Sequence, residues 1–390
     1  MGPTILSGML FTACESAPSR YSSQALSAPT VVPETLVLPL AGPLEGPRAG
    51  PRPAATVEPG LVPDPATIQE PADALVTTPT LETGSIGSGL PTWPREWVNA
   101  WVPLESWGRL NGLGKPIQLS NGTEAVYQLQ TSNGLVLVKM GSHTANIRGL
   151  EYGLGFAPRL IRGLPYIHSI DAQKTLQALL SVLWPLPLKT RTIVIDPGHG
   201  GRDSGTRSVA THTPEKDYTL DWALRLKERL AASHWIVVLT RTNDAEVALA
   251  ERVAVADRVG ADLFVSLHLN SGGPNHQLSG VETYCLTPTG MPSSLLREYE
   301  DDPREAHPNN HFDDLNVQLA TRLHRSILQT TGANDRGVRR ARFMAVLRGQ
   351  QRPAVLIEGG YLTHSEEARR LADPAYRQLL ADAVAKALTE

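Results

Sequence analysis

Histidine and carboxylate residues recur at the ends of apolar runs in the second half of the chain. Ile193 to Thr206 reads IVIDPGHGGRDSGT, an apolar strand that stops at Asp196 and enters a glycine-rich turn presenting His199. Such glycines permit backbone conformations closed to other residues and let a ligand approach the main chain. Glu215 opens a helix in PEKDYTLDWALRL, and His268 follows a strand in LFVSLHLNS. Two imidazoles and a carboxylate form a donor set for Zn²⁺ that leaves one coordination position open for water or substrate, which is the arrangement of a hydrolytic site. Glu358 ends the run PAVLIE. A carboxylate directly after a buried strand is paired or functional, which makes Glu358 the candidate base.

Each of these residues has a bland alternative. Glu215 at a helix start is favoured by the helix dipole alone, and His268 fits a satisfied core histidine. Four such residues at four element ends of one domain make coincidence a poor explanation. A nucleotide site is excluded on the motif itself, because DPGHGGRDSG has neither the lysine of a phosphate-binding loop nor the glycine order of a dinucleotide fold.

The elements that must position these residues alternate. Strand patterns run over Thr192 to Ile195, Trp235 to Thr240, Asp262 to Leu267, Val281 to Leu286, Phe343 to Leu347 and Ala354 to Glu358. Helical patterns run over Lys216 to Ala232, Leu249 to Val259 and Leu315 to Thr330. This predicts an α/β catalytic domain over residues 190–390, with its active groups beyond the strand ends. The segment Thr287 to His311 contains no apolar helix pattern, and its charge run at Glu298 to Asp302 reads as a solvated loop, with substrate contact as the alternative.

Residues 95–185 predict a small α+β domain. Short alternating runs at Gly134 to Met140 and Thr144 to Ile147 are strand signals, and an amphipathic helix carries Leu176, Leu179 and Leu180. His143 and His168 read as surface or core histidines rather than ligands. Residues 15–94 hold 15 of the 31 prolines and no lysine, a composition that forms a disordered, extended spacer. Met1 to Cys14 resembles the end of a bacterial lipoprotein signal, which makes Cys14 a lipidation candidate beside the alternatives of a plain cleaved signal and an ordinary buried thiol.

Composition narrows the classes further. The 390 residues carry 36 basic and 39 acidic side chains for a net charge of -3, so no global basic field exists to hold nucleic acid. Two cysteines, Cys14 and Cys285, provide no disulfide framework, and Cys285 reads as core packing. No apolar run is long enough to span a membrane.

Two resemblances follow from these motifs. Residues 95–185, on the glycine-serine turn and aromatic-containing strand within Met140 to Leu180, are similar to the copper-amine-oxidase N-terminal-like domain of bacterial envelope enzymes, and the resemblance implies no copper here. Arg191 to about Leu388 resembles the catalytic domain of zinc-dependent N-acetylmuramoyl-L-alanine amidases of the amidase-3 group. The matching motifs are DPGHGGRDSG, Glu215-Lys216, LTR ending at Arg241, ADLFVSLHLNS, GVETY, RGVRRARFMAVLR and PAVLIEGGYLT, in family order. That resemblance implies a mixed sheet flanked by helices, one zinc ion on His199, Glu215 and His268, and Glu358 as acid/base. It also implies peptidoglycan as the substrate in the cell envelope, cut between N-acetylmuramic acid and L-alanine. Asp257 stands where the family usually has Asn. The rival readings are another zinc hydrolase, against which the motif order argues, and a catalytically silent peptidoglycan-binding adaptor, which would be expected to lack a ligand or the base.

Overall fold

A computed structural model describes residues 93–132, 134–180, 186, 188–294 and 302–390. The expected leader with Cys14 and nearly all of the proline-rich spacer lie outside the described residues. The first described half is built from short antiparallel pairs. It contains β1 (Trp101–Pro103), α1 (Leu104–Leu110), β2 (Ile117–Gln118), β3 (Val126–Thr131), β4 (Gly134–Lys139), β5 (Thr144–Ile147), β6 (Leu150–Gly153), β7 (Arg159–Ile161) and β8 (Leu164–His168). Arg148 and Gly149 both take positive φ, 54° and 83°, so two residues suffice to join β5 to β6 in the primed type of hairpin turn. The short helices α2 (Ser169–Asp171) and α3 (Ala178–Leu180) flank a π-helical stretch, Ala172–Gln177, and together they bury Leu176 and Leu179.

The second half alternates as its pattern predicts: β9 (Thr192–Pro197), α4 (Glu215–Ala231), β10 (Ile236–Leu239), α5 (Leu249–Arg258), β11 (Leu263–Asn270), β12 (Val281–Cys285), α6 (Asp313–Thr331), β13 (Asp335–Arg340), α7 (Ala345–Arg348), β14 (Ala354–Tyr361), α8 (Ser365–Ala372) and α9 (Pro374–Thr389). Among the described residues one eleven-stranded sheet runs β10-β9-β11-β14-β12-β13-β6-β5-β4-β3-β2. Strands from both halves therefore share it. β10, β9, β11 and β14 are parallel, while β12 pairs antiparallel to β14.

The central strands bury both faces, and alternation sorts their side chains. Ile193, Ile195, Val265, Leu267, Val355 and Ile357 join the cluster that holds Trp222 and Leu226 of α4, Leu323 of α6 and Leu380 of α9. Val194, Phe264 and Leu356 join a second cluster with Ala256 of α5 and Leu347 of α7. Helices thus cover each face of a mixed sheet, which is why these strands read as nearly continuous apolar runs.

One expected strand is corrected. Phe343 to Leu347 contains no strand: α7 occupies Ala345–Arg348, and the strand of this region is β13, Asp335–Arg340. Five apolar residues do not distinguish a strand from a buried helical turn. β13 carries three arginines that obscure it in sequence: Arg336 pairs with Glu282, Arg339 pairs with Glu151, and Arg340 is buried and donates to the Lys174 carbonyl. In the loop from Thr287, a 3₁₀ turn at Pro308–Phe312 leads directly into α6, and residues 295–301 lie outside the described residues.

Candidate metal centre and catalytic edge

The carboxyl ends of β9, β11 and β14 lie at one edge of the sheet, and the four singled-out residues are delivered there. The turn after β9 is anchored from below. Asp196 is fully buried and accepts from Arg252 Nη1 at 2.7 Å, Thr240 Oγ1 at 2.5 Å and Ser266 Oγ at 2.8 Å. Arg252 also donates to the carbonyls of Pro197 and His199, both at 2.8 Å. Arg241 donates to the carbonyls of Pro197 (3.0 Å), Gly198 (2.8 Å) and Lys216 (2.8 Å), tying the turn to the first turn of α4. Two buried arginines thus satisfy carbonyls that a tight turn leaves without backbone partners.

His199 itself adopts φ 62°, an unusual conformation for a residue with a side chain, and the anchored turn holds it there. A Cβ at Gly198 would overlap the His268 ring, and one at Gly205 would lie 2.5 Å from Glu215 Oε2. Both glycines are required by the close approach of the three side chains.

His199, Glu215 and His268 converge, with one donor atom from each within 4.8 Å of the others. Glu215 Oε2 lies 3.1 Å from His199 Nε2 and its Oε1 lies 3.1 Å from His268 Nδ1. The carboxylate also accepts from the backbone N–H groups of Thr206 (3.1 Å) and Leu269 (2.9 Å). Burial pushes the Glu215 carboxyl up, but the two histidines outweigh it and hold it down at about 2. Burial works against the charged His199 ring, yet Glu215 and then Asp203 raise its pKa. His199 Nδ1 sits 2.9 Å from Asp203 Oδ2, so the carboxylate orients the ring with Nε2 toward Glu215. A buried carboxylate and two partly buried imidazoles, one donor atom from each, could hold a divalent metal ion.

Glu358 stands one strand away. On β14 it pairs in register with His268 of β11 on one side and with Glu282 of β12 on the other. Residues paired in this way project from the same face. Glu282 is buried and accepts from Asn270 Nδ2 (2.8 Å), Tyr284 O–H (2.8 Å) and Arg336 Nε (3.0 Å). The row His268, Glu358, Glu282 is therefore continued by an arginine, whose guanidinium also lies over the Tyr361 ring at 5.3 Å.

Sequence reasoning did not single out Asp203, Arg241, Arg252, Glu282 or Arg336 for a role in the site. Asp203, Arg241, Glu282 and Arg336 do lie inside the motifs DPGHGGRDSG, LTR, GVETY and RGVRRARFMAVLR, where polar residues within the matching motifs were the available signal. His143 and His168 stay outside the cluster: His168 stacks on Phe156 at 3.7 Å between ring centroids, and His143 Nδ1 lies 3.3 Å from the Leu154 carbonyl. Cys285 is buried, as expected of core packing. Asp257 pairs with the buried Arg352, a partner that accounts for an acid at this position.

The family profile described as N-acetylmuramoyl-L-alanine amidase matches residues 193–390. The chain is 34% identical over 201 residues to the N-acetylmuramoyl-L-alanine amidase LytC of Bacillus subtilis (strain 168), covering 51% of this chain and 35% of that protein. It is 34% identical over 191 residues to the amidase CwlM of Bacillus licheniformis, covering 48% of this chain and 64% of that protein. The match thus spans less than two thirds of either relative. The solved structure of the amidase AmiC2 of Nostoc punctiforme is 34% identical with a TM-score of 0.43, covering 52% of this chain and 96% of that one.

Proposed function

The chain belongs to the N-acetylmuramoyl-L-alanine amidase family, and from that premise we propose that it hydrolyses the amide between N-acetylmuramic acid and L-alanine in peptidoglycan, using one zinc ion. His199, Glu215 and His268 hold the metal in this reading, and Glu358 is the acid/base. The observation that carries it is the convergence of the three donors at the carboxyl edge of the sheet, with Glu358 in register beside His268.

Bound zinc would lower the pKa of a coordinated water and polarise the carbonyl under attack. Glu358 accepts the proton of the attacking water and returns it to the departing alanine nitrogen. Asp203 keeps His199 in the tautomer that offers Nε2, and Arg241 and Arg252 hold the turn so that this nitrogen does not drift. Glu282, neutralised by Arg336, fixes the backbone row that carries Glu358.

The enzyme acts in the cell envelope in this reading. Residues 15–94 serve as a tether to a lipid on Cys14, and residues 95–185, as a copper-amine-oxidase N-terminal-like domain, extend the catalytic sheet through β6 to β2. Metal analysis of purified protein tests the site: one zinc per chain is expected, and full zinc retention in both His199→Ala and His268→Ala would refute the ligand set.

A further inference from the structure

A cavity of about 810 Å³ opens between the β4–β5 pair and helices α6 and α9. It is remote from the metal centre: four strand steps separate β14 from β5 in the sheet, roughly 19 Å at ~4.8 Å per strand. Its lining gathers four cations, Arg148, Arg322, Arg325 and Lys386, and the carboxylate of Glu390, which lies 4.0 Å from Lys386 Nζ and also acts on Arg322, so the cations outnumber it. In a chain with a net charge of -3 this is a local reversal of sign. Arg325 Nη1 donates to the Arg148 carbonyl at 3.1 Å, and Arg322 Nε donates to the Ala387 carbonyl. Those bonds to carbonyls fix the two guanidinium groups in the lining, and Glu390 adds an attractive charge beside Arg322. Arg148 is disfavoured in its charged form first by burial and then by Arg325, and an anion in the cavity would offset the repulsion from Arg325. Beside the cations the lining presents the amides of Asn146 and Gln329 and the apolar side chains of Leu135, Leu137 and Leu179.

We propose that this cavity binds a carboxylate-bearing peptide. The inference rests on the reading of peptidoglycan as the substrate, because its stem peptides would supply that chemistry. Arginine forks match carboxylates through paired N–H bonds, side-chain amides match peptide groups, and the leucines accommodate small alkyl side chains. A phosphodiester polymer would use the cations but leave the amides and leucines without complementary groups. A peptide seated here is held while another segment of the same polymer reaches the catalytic edge, which makes the cavity an anchor for an insoluble substrate.

The test is calorimetric titration of the full chain with free stem peptide, which lacks the scissile sugar linkage and so is not consumed. Binding is expected, with at least tenfold weaker affinity in Arg325→Gln/Lys386→Gln and for peptide whose carboxyls are amidated. Turnover of small soluble muropeptides by that variant should stay within twofold of the parent. If the double variant does not fold, Lys386→Glu, on an exposed residue, should weaken the peptide at least threefold. No binding to the parent, unchanged affinity in the folded variant, or tighter binding of poly(glycerol phosphate) than of peptide would each overturn the proposal. So would loss of binding on chelation of zinc, which would place the peptide at the catalytic edge. Wall digestion that yields no new alanine amino termini sinks the amidase reading whatever the calorimetry shows. Normal digestion with unaltered peptide binding in the variant sinks only the cavity.

Discussion

His268 and Glu358 are register partners on adjacent parallel strands, so one histidine of the metal cluster and the expected base project from the same face one strand apart. The spacing of β-strands, and not a flexible loop, sets their separation. A positioned general base typically contributes about 10²–10⁴ in rate. Glu358→Gln should therefore lose at least ~10² in kcat while keeping one zinc per chain, read by steady-state kinetics and metal analysis on one preparation. Retained activity moves the base elsewhere, and lost metal makes Glu358 a ligand.

Asp203 touches His199 through the nitrogen that faces away from Glu215. Substitution of such an orienting partner typically weakens metal affinity about 10–100-fold. Asp203→Ala should show that loss in a competition titration with a chelator. Equal affinity would show that the anchored backbone alone orients the ring.

The Arg252–Asp196 pair lies beneath the turn, with side-chain exposures of 5% and 0%. Removing one member of a buried pair strands the other charge and costs about 3–5 kcal/mol. Arg252→Ala should fall in that range by urea unfolding and should lose zinc as well. A cost below about 1 kcal/mol would mean that water replaces the guanidinium, contrary to the burial seen here.

His168 is held down at about 4, by burial first and then by the charge of Arg159. Its folded pKa lies below the unfolded value, so its contribution to stability is present above about 6.5 and is lost as pH falls toward 4. Burial raises Asp171 to about 6, against bonds from the Gly155 and Phe156 N–H groups. That contribution has the opposite sign: it is present below the unfolded value and is lost as pH rises through about 6. The two windows overlap, so bulk unfolding curves would hide both. The His168 ring resonance should titrate near pH 4 by NMR; a midpoint near 6.5 would contradict the packing against Phe156.

Much of the site was legible because its chemistry sits at punctuation in the sequence. His199 follows a strand and precedes glycines, Glu215 starts a helix, and His268 and Glu358 end apolar runs. The supporting residues were harder to read. Arg252 looks like any helical arginine until the fold sets it against Asp196, 56 residues away. β13 was missed for the same reason, since Arg336 and Arg340 look solvent-seeking in sequence and are paired or buried in the fold. Local pattern reports what a residue prefers, whereas long-range partners decide what it can tolerate. The joining of β6 to β13 likewise had no local signal, because parallel pairing between distant segments leaves no turn between them.

An amidase of this kind is distinguished from other wall hydrolases by the bond it cuts. Purified peptidoglycan should be digested with the zinc-loaded full chain and the soluble products analysed by mass spectrometry and amino-terminal labelling. Free peptides with new L-alanine amino termini, intact glycan strands and no gain in reducing ends are expected, with the rate of release at least ~10² lower in Glu358→Gln. Reducing sugar ends, or peptides cut between amino acids with the alanine still joined to muramic acid, would contradict the amidase reading.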